Sequence, residues 1–409
     1  MGLGLVTSVI VARVLGPADY GAFVILSAVV AVSHGLVDLG LSDAGVRKIS
    51  AYLEHQPGTA VSIGQVFFWI RNGVVVAFLG VVAFLLTPLA QLFNLDGREV
   101  ALALAFLGIL GTTLSGSVNA ILQAARRFGR ISFLVLTNGL LTLVLAVILG
   151  VSHRLTLESA LLGLGLATSL TTFAVGAKLL LRPWTILPPT GDELRQYAPA
   201  LLRFGRWLWI GNFLAVIASR LDILLVQQWS TPSVVGAYAL AASLTSKADI
   251  LNSTLITVLL PSVSALKGQQ QLRSFLRRGL VSGSVISLGL IALIPLAGPL
   301  ILAFYGPEYS ATVEFVRWLL VIVAFDVMVA PLLLLAYPLD KPQLLAQGDG
   351  LRIAVLLILG VVLIPLIGPT GVILAKLCAS VSGASLSIFR LYRLSAGVQW
   401  TTTGEKEDD

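Results

Sequence analysis

Apolar segments follow one another from one end of the chain to the other, each bounded by glycine, proline or charge. They fall at about 1–13, 19–40, 61–86, 100–122, 131–152 and 156–177. A second set falls at about 207–228, 234–258, 279–304, 311–335, 351–367 and 371–389. A helix of about 20 apolar residues crosses the hydrocarbon core of a bilayer, and nearly every segment has that length. Only 11% of the 409 residues are charged, against about 25% in an ordinary soluble domain. The shortage is spread along the whole chain, so it does not come from one apolar anchor on a soluble body. The pattern predicts an all-α polytopic membrane protein of about twelve transmembrane helices, with no water-soluble domain in any loop.

The first segment is shorter than a bilayer crossing. Met1-Gly2-Leu3-Gly4-Leu5 lacks a basic leader and runs directly into apolar sequence that ends by Arg13. This opening reads as a truncated first helix rather than a cleavable signal peptide. Basic residues near the ends of spanning helices set orientation. Most of the 27 lysines and arginines, among them Arg47, Arg126, Arg203, Arg277 and Arg390, then fall on one side, whereas Arg13, Arg98 and Arg154 fall on the other. That asymmetry predicts both termini and the loops at 56–58 and 126–130 on the cytoplasmic side of a cell membrane. The net charge of +7 is thereby a topological signal, and nucleic acid is not an expected partner.

The chain reads as two halves. Gly16-Pro17-Ala18-Asp19-Tyr20-Gly21-Ala22-Phe23 returns as Thr231-Pro232-Ser233-Val234-Val235-Gly236-Ala237-Tyr238, and Pro88–Phe93 returns as Pro299–Phe304. Six helices per half is an even number, so the copies share orientation, a parallel repeat with its site expected between the lobes. The predicted divisions are a lobe at 1–181, a cytoplasmic linker at 182–206, a lobe at 207–393 and a disordered tail at 394–409. Prolines 183, 188 and 189 interrupt helix in the linker.

Several chemistries have no residues to carry them. Cys378 is the single cysteine, so an intrachain disulfide and a thiolate zinc site are excluded. His34, His55 and His153 lack ligand spacing, and no metal or cofactor is expected. No phosphate-binding loop, nucleotide fingerprint or serine hydrolase elbow is present.

The stretch Arg13-Val14-Leu15-Gly16-Pro17-Ala18-Asp19-Tyr20-Gly21, followed by Asp38-Leu39-Gly40-Leu41, resembles the opening of the polysaccharide and oligosaccharide (O-antigen type) flippases. Ser219-Arg220-Leu221-Asp222, Val235-Gly236-Ala237-Tyr238 and Phe304-Tyr305-Gly306-Pro307-Glu308-Tyr309 are similar to the second-lobe pattern of that family. Its superfamily also contains the lipid II flippases and the MATE-type multidrug exporters. The resemblance implies two pseudo-symmetric six-helix lobes facing a V-shaped cavity, and a lipid-diphosphate-linked oligosaccharide carried between leaflets by alternating access. It implies no catalysis, and a monomer working in the bilayer beside glycan-assembly machinery.

Charges inside spans point to the mechanism, because an Arg, Lys or Asp at the bilayer centre costs about 2.5–3.5 kcal/mol even on lenient scales. Arg71, Arg220 and Lys247 are the candidate substrate-binding cations, since guanidinium groups grip phosphate oxygens as a fork. His34, Asp38, Asp222, Asp249 and Asp326 are supporting or ion-coupling candidates. The repeat sets His34 at the depth of Asp249. A salt bridge from Asp38 to Arg47 would be its simplest structural role. Two rival functions fit the sequence less well: a cation-coupled small-molecule exporter, and a membrane glycosyltransferase or polymerase, which would need a larger external loop with acids.

Overall fold

The computed structural model describes residues 2–93, 95, 97–180, 187–264, 269–337 and 343–395. Arg182, Pro183 and Trp184 of the expected linker, and most of the expected tail, lie outside the described residues, as do Asp96, Lys267, Lys341 and Lys406. All regular structure among the described residues is helical. Eleven helices there are long and apolar enough to cross a membrane. The chain divides into two compact units, Met1–Gln228 and Trp229–Asp409.

The first unit opens with α1, Gly2–Asp38, which holds the first two expected segments as two legs. At 1.5 Å per residue its 37 residues reach about 55 Å, nearly twice a hydrocarbon core. The legs part at Gly16, whose backbone (φ 72°, ψ 170°) lies outside the helical region. Only glycine adopts such a conformation readily, and Pro17 cannot donate the hydrogen bond that would carry the helix through. There follow α2 (Leu41–Leu53), α3 (Pro57–Leu92), α4 (Glu99–Ala124) and α5 (Phe128–Val151). Next come α6 (Leu157–Ala160), a π-helical stretch Leu161–Ala167, α7 (Thr168–Val175) and a second π-helical stretch Gly176–Leu180. The unit ends in α8, Gly191–Trp229, of which Leu208–Trp229 has spanning character.

Two helical elements of this unit lie outside the expected spans. Helix α2 buries Leu41, Ala44, Gly45 and Ile49, a one-sided stripe at helical spacing. It packs with Ile63, Val66 and Phe67 of α3, Ile121 of α4, Leu134 of α5 and Leu201 of α8. The stretch of α8 before Leu208 is started by a reciprocal cap. Glu193 N–H donates to Thr190 Oγ1 at 3.3 Å, and Thr190 N–H donates to Glu193 Oε2 at 2.8 Å. Ser62 Oγ of α3 donates to Glu193 Oε1 at 2.5 Å and ties α8 to the unit.

The second unit contains α9 (Pro232–Ser264), α10 (Gln269–Ala292), α11 (Ile294–Tyr305), α12 (Ser310–Leu333), α13 (Gln343–Ile367) and α14 (Thr370–Ser395). The apolar run at 279–304, expected as one helix, is broken between α10 and α11. Proline lacks the N–H that a helix interior needs but fits its first turn, where Pro295 stands in α11. Helices α13 and α14 form a close antiparallel hairpin. A Cβ on Gly371 would come within 2.6 Å of the Leu363 carbonyl, and one on Gly383 within 2.8 Å of the Gly348 carbonyl oxygen. Small residues let backbones approach this closely where no water drives helices together.

Large apolar side chains lie on the outer faces of both units. Phe84 is 89% exposed, and Val151, Leu288, Ile358 and Leu366 are also exposed. A water-facing surface does not carry so many; a lipid-facing one does. The protein is a multi-span membrane protein.

Candidate functional site

In the first unit the charged residues meet where α1 stops. Asp38 is the last residue of α1, and the left-handed turn through Leu39 and Gly40 directs the chain away into α2. Arg71 projects from α3 into the same place and is buried, its side chain 3% exposed beside an Asp38 that is 16% exposed. Its Nε donates to Asp38 Oδ1 at 2.9 Å. Its Nη1 donates to the Thr113 carbonyl at 2.9 Å and to Ser117 Oγ at 2.8 Å, both on α4. Its Nη2 lies 3.5 Å from His34 Nε2. Asp38 also accepts from Ser42 Oγ at 2.6 Å. Three helices are thus bound through one guanidinium, most of whose five donors are directed at protein atoms.

The simple pairing of Asp38 with Arg47 does not occur: Asp38 pairs with Arg71. The reason is α2. Its apolar stripe faces the unit, Arg47 is left on the exposed side, and the Arg47 guanidinium rests 4.3 Å from the centre of the Phe204 ring.

Two other candidates lie on α8. Two residues apart on a helix differ by about 200° of rotation, and the surroundings differ accordingly. Arg220 is half-buried, whereas Asp222 is buried and accepts the Ile223 N–H at 2.9 Å. No ion pair holds Arg220 among the described residues.

The second unit has a different arrangement. Asp326 of α12 pairs with Arg352 of α13 at 2.5 Å, with their side chains 20% and 38% exposed. Ser380 of α14 donates to Asp326 Oδ1 at 3.0 Å and also accepts from Arg352. The hairpin glycines make this possible, for a Cβ on Gly383 would lie 3.2 Å from the Arg352 Cβ. Asp249 of α9 is exposed and lies within electrostatic reach of Asp326, Lys376 and Arg352. Asp349, one turn before Arg352, interacts with the same pair. Lys247 of α9 is exposed, with no ion pair among the described residues.

Arg352, Asp349, Ser117 and Ser380 were not singled out from the sequence. Arg352 stands at the start of the apolar run at 351–367, where it reads as a helix-end cation, but α13 starts at Gln343 and carries it into the span. The Asp349–Arg352 spacing of three inside an otherwise apolar helix was the available signal. Among the described residues no group of three or more His, Cys, Asp or Glu is placed to hold a metal ion.

This distribution, with membrane spans and charged residues within them, agrees with the comparisons to known proteins. Residues 10–314 match the family model described as "Polysaccharide biosynthesis protein". The chain belongs to this family. A relative of this family member in Haloferax volcanii, "Probable flippase AglR", is 27% identical over 204 residues, covering 47% of this chain and 42% of the relative. The chain therefore spans less than half the length of that relative. Among solved structures, "Lipid II flippase MurJ, inward closed conformation" superposes with a TM-score of 0.74 at 15% identity, covering 96% of this chain and 87% of that one. An inward-facing multidrug resistance MATE family transporter of the MOP superfamily gives 0.73 at 16% identity, covering 96% and 94%. At such identities the likeness is one of fold, and the fold of this polysaccharide biosynthesis protein is that of the MurJ and MATE transporters.

Proposed function

We propose that the protein is a flippase that moves a lipid-diphosphate-linked oligosaccharide from the inner to the outer leaflet for cell-surface polysaccharide assembly. The family match supports the pathway, and the MurJ and MATE fold supports transport. The observation that carries the reading is that two spanning-helix cations, Arg220 in the first unit and Lys247 in the second, have no ion pair among the described residues. A cation at that depth persists only where water or a ligand compensates it, and a diphosphate supplies the complementary charge. In this reading Arg220 and Lys247 are each substrate-binding cations, one in each unit. Arg71, bound to Asp38, Thr113 and Ser117, holds the helices that shape the first unit. Asp249 and Asp326 are the ion-coupling candidates; within the first unit His34 stands beside Arg71, and Asp222 has a supporting role on α8. The protein would act as a non-catalytic monomer in the cytoplasmic membrane, both termini inside, beside the enzymes that build the glycan.

The test is transport of a fluorescent lipid-diphosphate oligosaccharide in proteoliposomes. Arg220→Ala and Lys247→Ala are expected to reduce the rate at least tenfold at normal protein yield, and Arg220→Lys to restore only part, because lysine lacks the fork. Wild-type rates in both alanine variants would refute the diphosphate role. Absence of transport by the wild-type protein would refute the flippase reading itself.

A further inference from the structure

A second concentration of positive charge lies away from the spanning-helix cations, at the end of the first unit where α2 and the opening part of α8 meet. Arg47, Lys48 and Tyr52 of α2 face Arg203, Phe204 and Arg206 of α8 across a cavity of about 700 Å³. Helix α2 is not a span, and the spanning part of α8 begins only at Leu208, so the cavity sits at the membrane edge.

Orientation alone asks for basic residues near helix ends. It does not ask that four of them converge on one cavity. Here the packing brings them together. A Cβ on Gly40 would collide with the Gly205 carbonyl oxygen, and one on Gly205 would come within 2.6 Å of the Leu39 carbonyl oxygen. The turn before α2 and the backbone of α8 therefore touch with no side chain between them. Trp209 Nε1 fixes the approach by donating to the carbonyls of Gly35 and Leu36 at 3.1 and 3.0 Å. Two basic segments are thus fixed face to face against their mutual repulsion.

The acids that could relieve that repulsion are engaged elsewhere. Asp43 accepts from Asn212 Nδ2 at 2.8 Å, Glu54 faces Arg126 at 3.6 Å, and Glu193 is held by Thr190 and Ser62. Among the described residues no carboxylate lines the cavity. Among the described residues no ion pair involves Arg47, Lys48 or Arg203. The Arg47 guanidinium lies over the Phe204 ring, which holds it at the cavity wall.

We propose that this cavity binds a phosphate or diphosphate group at the membrane edge. Arginines offer forked donors to phosphate oxygens, and basic pockets beside spanning helices are suited to anionic headgroups. The phosphate can belong to a lipid headgroup or to a free diphosphate. The site stands whether or not the chain moves a glycolipid, because it requires binding and not transport.

The experiment uses the full chain purified in a neutral detergent. Its unfolding temperature is titrated separately with inorganic diphosphate and with short-chain phosphatidic acid, at low and high salt. A saturable, salt-sensitive rise is expected with at least one probe. A rise with diphosphate identifies the phosphate group itself as sufficient, and a rise with phosphatidic acid alone identifies a lipid-attached headgroup. Arg47→Gln combined with Arg203→Gln should weaken binding by about a hundredfold, a decade for each charge-assisted contact. Arg154→Gln, at a different loop, should change nothing. If the double variant fails to fold, Arg203→Gln alone gives the same reading at about tenfold. No saturable rise with either probe, or binding unaltered in the arginine variants, would overturn the proposal.

Discussion

Each unit holds an arginine–aspartate pair among its spanning helices, and the two pairs are set differently. In the first unit Arg71 is 3% exposed, and its guanidinium is shared among Asp38, Thr113 and Ser117. In the second unit Arg352 is 38% exposed, and its bonds to Asp326 and Ser380 leave two further carboxylates, Asp249 and Asp349, in the same field. The first group is closed: one cation, one principal acid, and neutral groups that take most of the remaining donors. The second is open and rich in acid, with Lys376 as a second cation nearby. A closed network holds helices together and leaves little to offer a ligand. An open one can exchange protons or ions without dismantling the fold. The same residue types are therefore set differently, and the difference is made by burial and by how many donors the neighbours occupy.

The largest expected effect is from Arg71→Ala. It would strand Asp38 in a buried place, and breaking one side of a buried pair costs about 3–5 kcal/mol. The unfolding temperature and membrane yield should fall sharply, and adding Asp38→Ala should recover much of the loss. An Arg71→Ala protein as stable as the wild type would break the comparison at its closed end. Arg352→Ala should destabilise by only about 1 kcal/mol, because a partly exposed pair is screened and its acid can be solvated. A double-mutant cycle on Arg352 and Asp326 should give a smaller coupling than one on Arg71 and Asp38. Equal couplings would mean that exposure does not separate the two groups.

Ser117→Ala sharpens the closed case without removing charge. It deletes one acceptor of Arg71 and should reduce stability by about 1 kcal/mol. The matching Ser380→Ala should do less, since Asp326 keeps its bond to Arg352.

The smallest effect belongs to Glu193, an acid outside the spans that caps α8 and accepts from Ser62 of α3. Hydrogen bonds from Ser62 and then from Thr190 hold its carboxyl below the usual range. A depressed folded-state value means that the stabilisation is present above the ordinary carboxylate range and is lost as pH falls through the depressed value. Glu193→Gln should flatten that acid-side slope in the pH dependence of unfolding. Thr190→Ala, which removes the cap, should cost about 1 kcal/mol. If Glu193→Gln left the slope intact, the acid-side loss would have to come from other carboxylates.

The membrane-spanning character of nearly every helix was legible in residue order, because a bilayer demands a long uninterrupted apolar run and the chain has few charges to obscure it. The break at Gly16-Pro17 was legible as well, since glycine and proline act on their own backbone. Helix α2 and the opening of α8 escaped, although Leu41, Ala44 and Ile49 and the Thr190–Glu193 cap were there to read. Their apolar stripes are narrow and form no continuous apolar run that would mark them. The need for in-span charges to be compensated also followed from the sequence, and it singled out Arg71, Arg220, Lys247, Asp38 and Asp326. Which acid meets which base did not follow, because partners such as Asp38 and Arg71, 33 positions apart, are joined only by helix packing. Arg352 shows the same limit: its depth depended on α13 beginning at Gln343. The sequence by itself determined a membrane protein of many helices with charges that must be compensated. The tertiary structure decided the pairings, the closed and open character of the two networks, and the basic cavity between α2 and α8. Composition and period act along a single helix, whereas salt bridges and cavities depend on which helices approach and on which glycines let them.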